Sequence, residues 1–414
     1  TLRLCIRLLH KPSLQPQLLE LLGALLQLPP QLFAPLAERI GTGLLLLLRA
    51  NAPHMAATEP ANGDAPAAAT DPAADPRVPD AGGGGGGGGG VTHAGRGAGA
   101  AGWATVCALL QQLLEGGLGA RAGGSGGASA SAEPEGARTD PASELAFEAL
   151  SFVATDGGCA HVSTDNLAAL SGLLLACARE ARMPRCVQAV GMLEKLQLRA
   201  CALRPTAPAT LAPSSSREPG AAAPADALLP LQALCNLLRA GVGAPLESTA
   251  LASLLALVCA PELALLTPAE LMHALSAVLV PLFEARIAQL HAARAAPAPA
   301  AAAGAHAVGT CARLCAVVSR MVLQHLHALA PCPEFPQLFL HLVGAMTGAL
   351  GWTAAEAALQ PLHEQITQNL RNMTAVIMTA EDVRQDVRAL LRTVIASFLP
   401  DLHHELIGTV GSVQ

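Results

Sequence analysis

Four stretches poor in large apolar side chains divide this chain into Leu-rich blocks. They are rich in Ala, Gly, Pro and Ser, and they lie at Ala52–Ala101, Gly116–Ala142, Arg204–Ala225 and Ala292–Gly304. Such segments bury too little apolar surface to offset the entropy of ordering their backbone, so we predict disordered linkers. The fold must then be built from the blocks between them: a helical segment over 1–51, a helical domain over 102–203 with a disordered insert at 116–142, and a C-terminal helical domain over 226–408.

Composition and hydrophobic period both favour helix within these blocks. Hydrophobic residues make up 52% of the chain and aromatic residues only 2%. Scarcity of Tyr, Phe, Val and Ile argues against a β-sandwich or barrel, and abundant Leu and Ala favour helix. Serial helices without strands predict an all-α fold, an α-solenoid of HEAT- or armadillo-like antiparallel helix pairs interrupted by the linkers. The period is clearest before Pro400, in an apolar stripe formed by Val383, Val387, Leu390, Leu391, Val394, Ile395, Phe398 and Leu399.

Helix starts are marked by capping residues. Thr267–Glu270 reads Thr-Pro-Ala-Glu, which is a capping box with proline at the first helical position and predicts a helix reaching about Leu290. Ser163–Asn166 supplies cap residues for an earlier helix.

Two later threonines and two tryptophans are also placed at helix starts. Thr353 is predicted to begin the next-to-last helix, and Thr379 to cap the last one with Asp382 in its first turn. Trp103 and Trp352 each follow a glycine, and we expect both to begin helices and to anchor the core.

The charge balance and the motif search exclude several function classes. Lys and Arg total 25 against 31 Asp and Glu, and a net charge of -6 without basic clusters argues against nucleic-acid partners. The chain has no Walker motif and no HExxH, and its GxSxG match at Gly123–Gly127 lies in a Gly-Ser linker. We therefore predict no catalytic residue, no cofactor and no small-molecule substrate.

The cysteines number 11 and are scattered without a CxxC pair, which predicts reduced thiols that pack as small apolar groups. Cys311 and Cys315 lie one helical turn apart, with His325 and His327 downstream, a spacing that would suit a metal site if the ligands converged. The same cysteines also fit the buried side of their helix, so we predict core thiols and no bound metal.

Three arginines of the last helix form the candidate contact site. Arg384, Arg388 and Arg392 follow one another at helical spacing beside the apolar stripe, which suits contact with anionic lipid or with an acidic partner. The alternative is a solvated face on which Asp382 and Asp386 pair with them.

Several ordered segments resemble the C-terminal region of the large Arf guanine nucleotide exchange factors of the Golgi brefeldin-A-resistance type, whose plant relatives are the GNOM-like proteins. The resemblance covers most of 1–190 and 305–408, whereas 195–300 lacks the Trp-containing helical block of that family. The matching segments are Gly43–Ala52, Trp103–Thr105, Glu148–Val153, His161–Asn166, Leu323–Leu326, Leu370–Met373, Met378–Ala380, Phe398–Leu402 and Glu405–Leu406.

The resemblance implies a role in Golgi vesicle trafficking. The parent protein would load GTP onto Arf-type GTPases, and this chain, which starts at Thr1 and is expected to be a fragment, would hold its homology-downstream domains without the exchange domain. It would then be a cytoplasmic regulatory and membrane-targeting scaffold, peripherally bound to Golgi membranes and contacting protein partners.

Three alternatives remain beside this interpretation. The first is a generic α-solenoid adaptor unrelated to GTPases. The second is a membrane-embedded protein, because Phe335–Ala355 has no formally charged residue and is long enough to span a bilayer. The third, an independent enzyme, lacks a supporting set of residues.

Overall fold

Every regular element is helical in the part of the chain that the computed structural model describes, namely residues 2–11, 14–55, 97–122, 140–155, 162–180, 183–203, 226–295, 301–381 and 383–398. The predicted all-α class is therefore confirmed. Most of the predicted linkers at 52–101, 116–142 and 204–225 lies outside the described residues, although helix continues to Met55, begins again at Gly97 and extends to Ala122. The linker predicted at 292–304 was mostly wrong, because α12 continues to Ala295 and α13 begins at Ala301, and only 296–300 lie outside the described residues.

The chain divides into two compact units, Thr1–Val153 and Ala154–Gln414. This division falls inside a helix rather than at a linker, so the domain limits expected at 52–101 and 204–225 stay a prediction. The first unit contains α1 (Leu2–Leu8), α2 (Gln15–Leu26), α3 (Pro30–Phe33), α4 (Ala37–Met55), α5 (Gly97–Ala122) and most of α6 (Pro141–Thr155).

Helices of the first unit pack closely around α4. α1 contacts α2 and α4, and α5 contacts α2 and α4. Gly43 permits the close crossing of α1 and α4, because a Cβ there would lie 2.7 Å from Cδ1 of Leu2. Nδ2 of the buried Asn51 donates to the carbonyl of Ile6 at 3.0 Å and joins the same two helices.

The second unit is built from consecutive helices, several of which are joined by short turns. They are α7 (Thr164–Glu180), α8 (Arg185–Ala202), α9 (Leu229–Ala240), α10 (Ala244–Cys259), α11 (Pro268–His273), α12 (Val280–Ala295), α13 (Ala301–Gln324), α14 (Leu326–Leu329), α15 (Phe335–Thr353), α16 (Gln360–Thr379) and α17 (Gln385–Phe398).

These helices form two layers, which confirms the predicted α-solenoid. In one layer, here called layer A, α7, α9, α12, α15 and α17 each contact the next. In the other, layer B, α8, α10, α13 and α16 do the same. Consecutive members such as α7 and α8, or α15 and α16, also pack together across the layers, and short connections make such neighbours antiparallel.

Two predicted helix starts are confirmed by their capping hydrogen bonds. Thr267 Oγ1 accepts from the backbone N–H of Glu270, and Glu270 Oε2 accepts from the N–H of Thr267, so the capping box before α11 is formed. Asn166 Oδ1 likewise accepts from the N–H of Ser163 at the start of α7. The helix begun at Thr267 then passes through a π-helical stretch, Ala274–Leu279, before α12.

Several predicted helix starts were wrong. Thr353 ends α15 instead of beginning α16, because a turn and a 3-10 stretch at Ala357–Leu359 intervene. Thr379 is the last residue of α16, and its hydroxyl donates to carbonyls of that helix instead of capping α17; Asp382 lies outside the described residues. Trp352 lies at the end of α15 rather than at a helix start, and it is half-buried.

The stripe predicted for the last helix is confirmed at Val383, Val387, Leu391 and Ile395, which are all buried. They face α15 and α16, the two helices that α17 contacts. The predicted members Leu390, Val394, Phe398 and Leu399 lie outside the described side chains. Trp103 is also confirmed as a core residue, since only 2% of it is exposed, but it does not begin a helix, because α5 already begins at Gly97.

Three described stretches are long and apolar enough to cross a membrane, judged by length and composition alone: Pro30–Ala52, Pro268–Arg294 and Gly304–Gln324. The stretch expected from the sequence, Phe335–Ala355, is not among them. Between 39% and 56% of the most apolar part of each stretch is buried inside the protein, so much of the apolar surface is used for helix packing.

A buried glutamine fixes the point where the chain resumes after residues 204–225. Gln197 in α8 is fully buried, and its Nε2 donates to the carbonyl of Ala227 at 2.8 Å. Its Oε1 accepts from the N–H of Leu231 at 3.0 Å. α9 has no side-chain cap of its own, so Gln197 satisfies one of its free N–H groups from a neighbouring helix.

We expect Gln197→Ala to lower the free energy of unfolding of the second unit by about 2–4 kcal/mol, because it leaves two buried backbone groups unpaired and opens a cavity. Urea denaturation followed by circular dichroism would measure this loss, and amide hydrogen exchange should show faster exchange at Leu231. Gln188→Ala, on the exposed side of the same helix, is the matched control and should leave both unchanged. Equal effects of the two substitutions would contradict the role of Gln197.

Candidate functional site

A buried ion pair joins four helices of the second unit. Glu247, in the first turn of α10, accepts from Nη2 of Arg286 in α12 at 2.6 Å through Oε1. Its Oε2 accepts from Nε2 of His306 in α13 at 2.8 Å. Arg286 Nη2 also donates to the carbonyl of Leu238 near the end of α9. The carboxylate and the guanidinium are only 7% and 14% exposed, so solvent screens the pair weakly.

The helix ends make this location favourable for both charges. A carboxylate in the first turn of a helix is stabilised by the helix dipole, which suits Glu247 in α10. A cation near the last carbonyls of a helix is stabilised at the opposite end, which suits Arg286 beside Leu238. The cluster therefore stabilises the ends of α9 and α10 while it holds α12 and α13 beside them.

Other arginines of layer A repeat the arginine-to-carbonyl contact. Arg179 of α7 donates to the carbonyl of Asn236 in α9 at 3.5 Å. Arg239 of α9 donates to the carbonyl of Val278 in the π-helical stretch at 3.4 Å. Each contact satisfies a backbone carbonyl of another element in layer A, so cationic side chains help to set the spacing of that layer.

We expect a double-mutant cycle of Glu247→Gln and Arg286→Met to show strong coupling. Either single substitution should cost about 3–5 kcal/mol, because it leaves the partner buried without its counter-charge. The coupling energy should be about 1–3 kcal/mol.

The matched control is the exposed pair Arg49–Glu148, whose N···O distance of 2.8 Å is similar and whose side chains are about half exposed. There we expect less than about 1 kcal/mol from Arg49→Met or Glu148→Gln. Urea denaturation would measure all variants, and a buried cycle no stronger than the exposed one would refute the structural role of Glu247.

The three predicted contact arginines are not equivalent. Arg392 is exposed on α17, and Arg384 is exposed just before that helix begins, not within it as predicted. Arg388 is half-buried, and its Nη2 donates to the carbonyl of Ala380 at the end of α16. Arg388 therefore connects α17 to α16. Of the three arginines predicted at helical spacing, two are exposed and one makes a contact between helices.

An open groove of about 1110 Å³ lies between the start of α11 and the turn before α15. Its walls combine apolar side chains and prolines with two imidazoles, a thiol and a carboxylate. They include Pro268, Met272, Pro331, Pro333 and Leu338, together with His273, His327, Cys332 and Glu334. This groove is not predictable from the sequence, because its two sides are distant in the chain and meet only through packing of α11 and α14.

Burial of the cysteines agrees with the prediction that they pack in the core. Eight of the ten described cysteines are buried, among them Cys311 and Cys315. Cys315 accepts a hydrogen bond from Nδ2 of Asn369 at 3.3 Å, within the core between α13 and α16. The described residues contain no group of three or more His, Cys, Asp or Glu suited to a metal ion. Cys159, His403 and the GxSxG match lie outside them.

Burial also makes the core thiols unreactive. It raises the pKa of Cys107, Cys235 and Cys311 to about 12, and that of Cys315 to about 11. The thiolate, which is the nucleophile, is therefore scarce at neutral pH in the folded protein. Burial lowers the pKa of His325, because a positive charge on the buried ring would be poorly solvated. The ring is therefore neutral near neutral pH.

We expect iodoacetamide at about pH 8 to label Cys259 first in the folded protein, because this thiol is exposed. Cys311 and Cys315 should react only after denaturation, because burial keeps the reagent away from them and a raised pKa lowers the fraction of thiolate. Peptide mass spectrometry would assign the labels, and Cys259→Ser should remove the fast one. Rapid labelling of Cys311 in the folded protein would contradict its core position.

The sequence also missed a surface cluster around Trp352. Its ring lies edge-on to His291, with ring centroids 5.1 Å apart, and the Arg294 guanidinium lies 6.0 Å from the tryptophan ring centroid. Arg294 also donates to Glu356. The cluster joins the end of α12 to the end of α15, so Trp352 contacts polar neighbours at the edge of layer A.

The second unit has the architecture of a helical-repeat scaffold. It consists of two layers of antiparallel helix pairs, with arginine contacts between helices and a groove on its surface. Residues 230–402 match the family described as "GBF1-like, tetratrico peptide repeat region". Tetratricopeptide repeats are helix pairs stacked in a solenoid, so this description agrees with the observed layers. No curated protein and no solved structure is significantly similar to the chain.

The match supports a relationship to the GBF1-like family. It also corrects the limits of the resemblance found in the sequence, because it includes 230–300, where that resemblance found no counterpart. The segments quoted before residue 190 lie outside the match, as do Glu405 and Leu406.

Proposed function

We propose that this chain is a regulatory and targeting scaffold of a large Arf-type guanine nucleotide exchange factor of the brefeldin-A-resistance type. The observation that carries the proposal is the GBF1-like match over 230–402, which coincides with the two-layered part of the second unit from α9 to α17. The scaffold would act from the cytoplasm at Golgi membranes, and its parent protein would serve an Arf-family GTPase. We assign it no catalytic residue.

The proposed mechanism is recruitment. A rigid helical solenoid can present separated contact sites at a fixed distance without changing shape. Arg392, exposed on α17, and Arg384, exposed just before that helix begins, would contact anionic lipid headgroups or an acidic partner. Arg388 would hold α17 against α16, so that the two exposed arginines keep their orientation.

A generic α-solenoid adaptor is the second candidate function, because the two layers by themselves fit any helical scaffold. The two candidates differ in one consequence. A scaffold of an exchange factor should increase nucleotide exchange at a membrane surface, whereas an unrelated adaptor should not affect a GTPase at all.

We expect a fusion of an Arf exchange domain to the full chain to exchange nucleotide on a vesicle-bound Arf GTPase faster than the exchange domain alone. Recruitment raises the local concentration of enzyme at the surface, so the difference should vanish without vesicles. Arg392→Glu should weaken binding to vesicles containing phosphatidylserine at least about fivefold, because one basic residue contributes about 1 kcal/mol there. Vesicle flotation and tryptophan fluorescence of the GTPase would measure both.

Arg39→Glu is the matched control, since Arg39 is exposed on α4 and the substitution changes the charge equally. It should leave vesicle binding unchanged. Equal exchange rates for the fusion and the isolated domain on vesicles would favour the generic adaptor, and equal losses from Arg39→Glu and Arg392→Glu would refute a specific contact at α17.

A further inference from the structure

One helix of layer B carries an apolar face on the protein surface. α10 has a single charged residue, Glu247, and that residue is buried in the ion pair. The exposed positions at helical spacing along α10 are Ala252, Leu255 and Cys259, and Leu255 is 42% exposed. A surface helix normally places charged or polar residues on its outer face. The exposed face of α10 therefore has the composition of a contact surface.

Cationic side chains border this face on one side. α13, which packs beside α10, contains no Asp or Glu over its 24 residues, and Arg313 and Arg320 lie on its exposed side two turns apart. Arg313 Nη1 donates to Oγ of Ser248 at 2.8 Å. Ser248 lies one turn before Ala252, so the arginine row and the apolar face are adjacent.

A further cation lies on the helix at the other side. α8 packs against α10 and exposes Lys195. We define the α10 face as Ala252, Leu255 and Cys259, and its cationic border as Lys195, Arg313 and Arg320. The whole chain has a net charge of -6, so this border differs in sign from the average of the protein.

Small residues leave room for a helix beside Leu255. Ala252 and Ala256 flank it on α10, and Gly309 on the exposed side of α13 faces open space, since a Cβ there would meet no atom within 4 Å. The distance between helix axes at a packed interface falls as the side chains at the contact become smaller. A partner helix can therefore approach Leu255 closely while its flanks reach Arg313 and Arg320.

We propose that the α10 face and its cationic border bind an amphipathic helix of a partner protein that has an apolar ridge flanked by Asp and Glu. The ridge would cover Leu255 and Cys259, and the acidic flanks would pair with Arg313, Arg320 and Lys195. Opposite charges at the border select acidic partners, and the net negative charge elsewhere on the chain disfavours their binding at other sites. This binding surface is separate from Arg384 and Arg392, so it does not depend on vesicle binding.

The test uses the full chain and a fluorescein-labelled synthetic peptide of about five helical turns, with Leu along one face and Glu on both flanks. Fluorescence anisotropy should show saturable binding that weakens as salt is raised. The same peptide with Lys in place of Glu, and a peptide of equal composition in scrambled order, should bind at least about tenfold more weakly. Bound peptide should also slow the alkylation of Cys259.

Two variants locate the surface. Leu255→Ser should weaken peptide binding about tenfold, because it removes the largest apolar contact. The double reversal Arg313→Glu with Arg320→Glu should weaken it at least tenfold and reduce its salt dependence. Leu46→Ser and Arg39→Glu are the matched controls, because both residues are exposed in the first unit, and neither should change binding.

Three results would overturn the proposal. They are equal binding of the acidic and basic peptides, no effect of Leu255→Ser in a protein that keeps its circular dichroism spectrum, and unchanged alkylation of Cys259 when peptide is saturating. Vesicle flotation separates a membrane surface from a helix site. Loss of phosphatidylserine-vesicle binding in the Arg313/Arg320 variant with peptide binding intact would assign this face to lipid instead.

Discussion

The packing of the second unit depends on a buried carboxylate that requires a counter-charge. Glu247 is buried, and an unpaired buried charge is too costly to persist in a stable fold. Arg286 and His306 must therefore stay within hydrogen-bond distance of it, and this requirement fixes α12 and α13 against the start of α10. Because Arg286 also reaches the carbonyl of Leu238, the end of α9 is included in the same arrangement.

Such polar contacts matter in this chain because its apolar contacts specify little. Leu and Ala side chains repeated along many helices allow alternative helix registers of similar packing, whereas a hydrogen bond to one carbonyl allows only one. Gln197 fixes α9 after the gap in the described chain, and Arg179 and Arg239 add further contacts along layer A. Unique packing of the second unit thus rests on a few polar residues within a Leu- and Ala-rich interior.

The same arrangement leaves the two layers chemically different. In layer A, Arg179, Arg239 and Arg286 contact backbone carbonyls or a buried carboxylate, whereas Arg392 of α17 is exposed. Layer B exposes an apolar face on α10 beside Arg313 and Arg320. Two different contact sites, one on each layer, suit the proposed function, in which a helical scaffold gathers partners near a membrane.

Local signals in the sequence were sufficient to establish the all-α class, the capping box at Thr267–Glu270 and the buried stripe that begins at Val383, because each depends on residues close together in the chain. Other signals misled: Thr353 has Glu356 three residues on and yet ends α15, Thr379 has Asp382 instead of a glutamate at that position, and Trp352 was judged from one preceding glycine. Glu247 as the sole charge of an apolar helix was a detectable sign of a buried pair. Only the tertiary structure decided the partners of Glu247, the groove beside α11 and the border of the α10 face. Each of them requires helices that are far apart in the chain to become neighbours. The period of a helix carries no information about which helices meet.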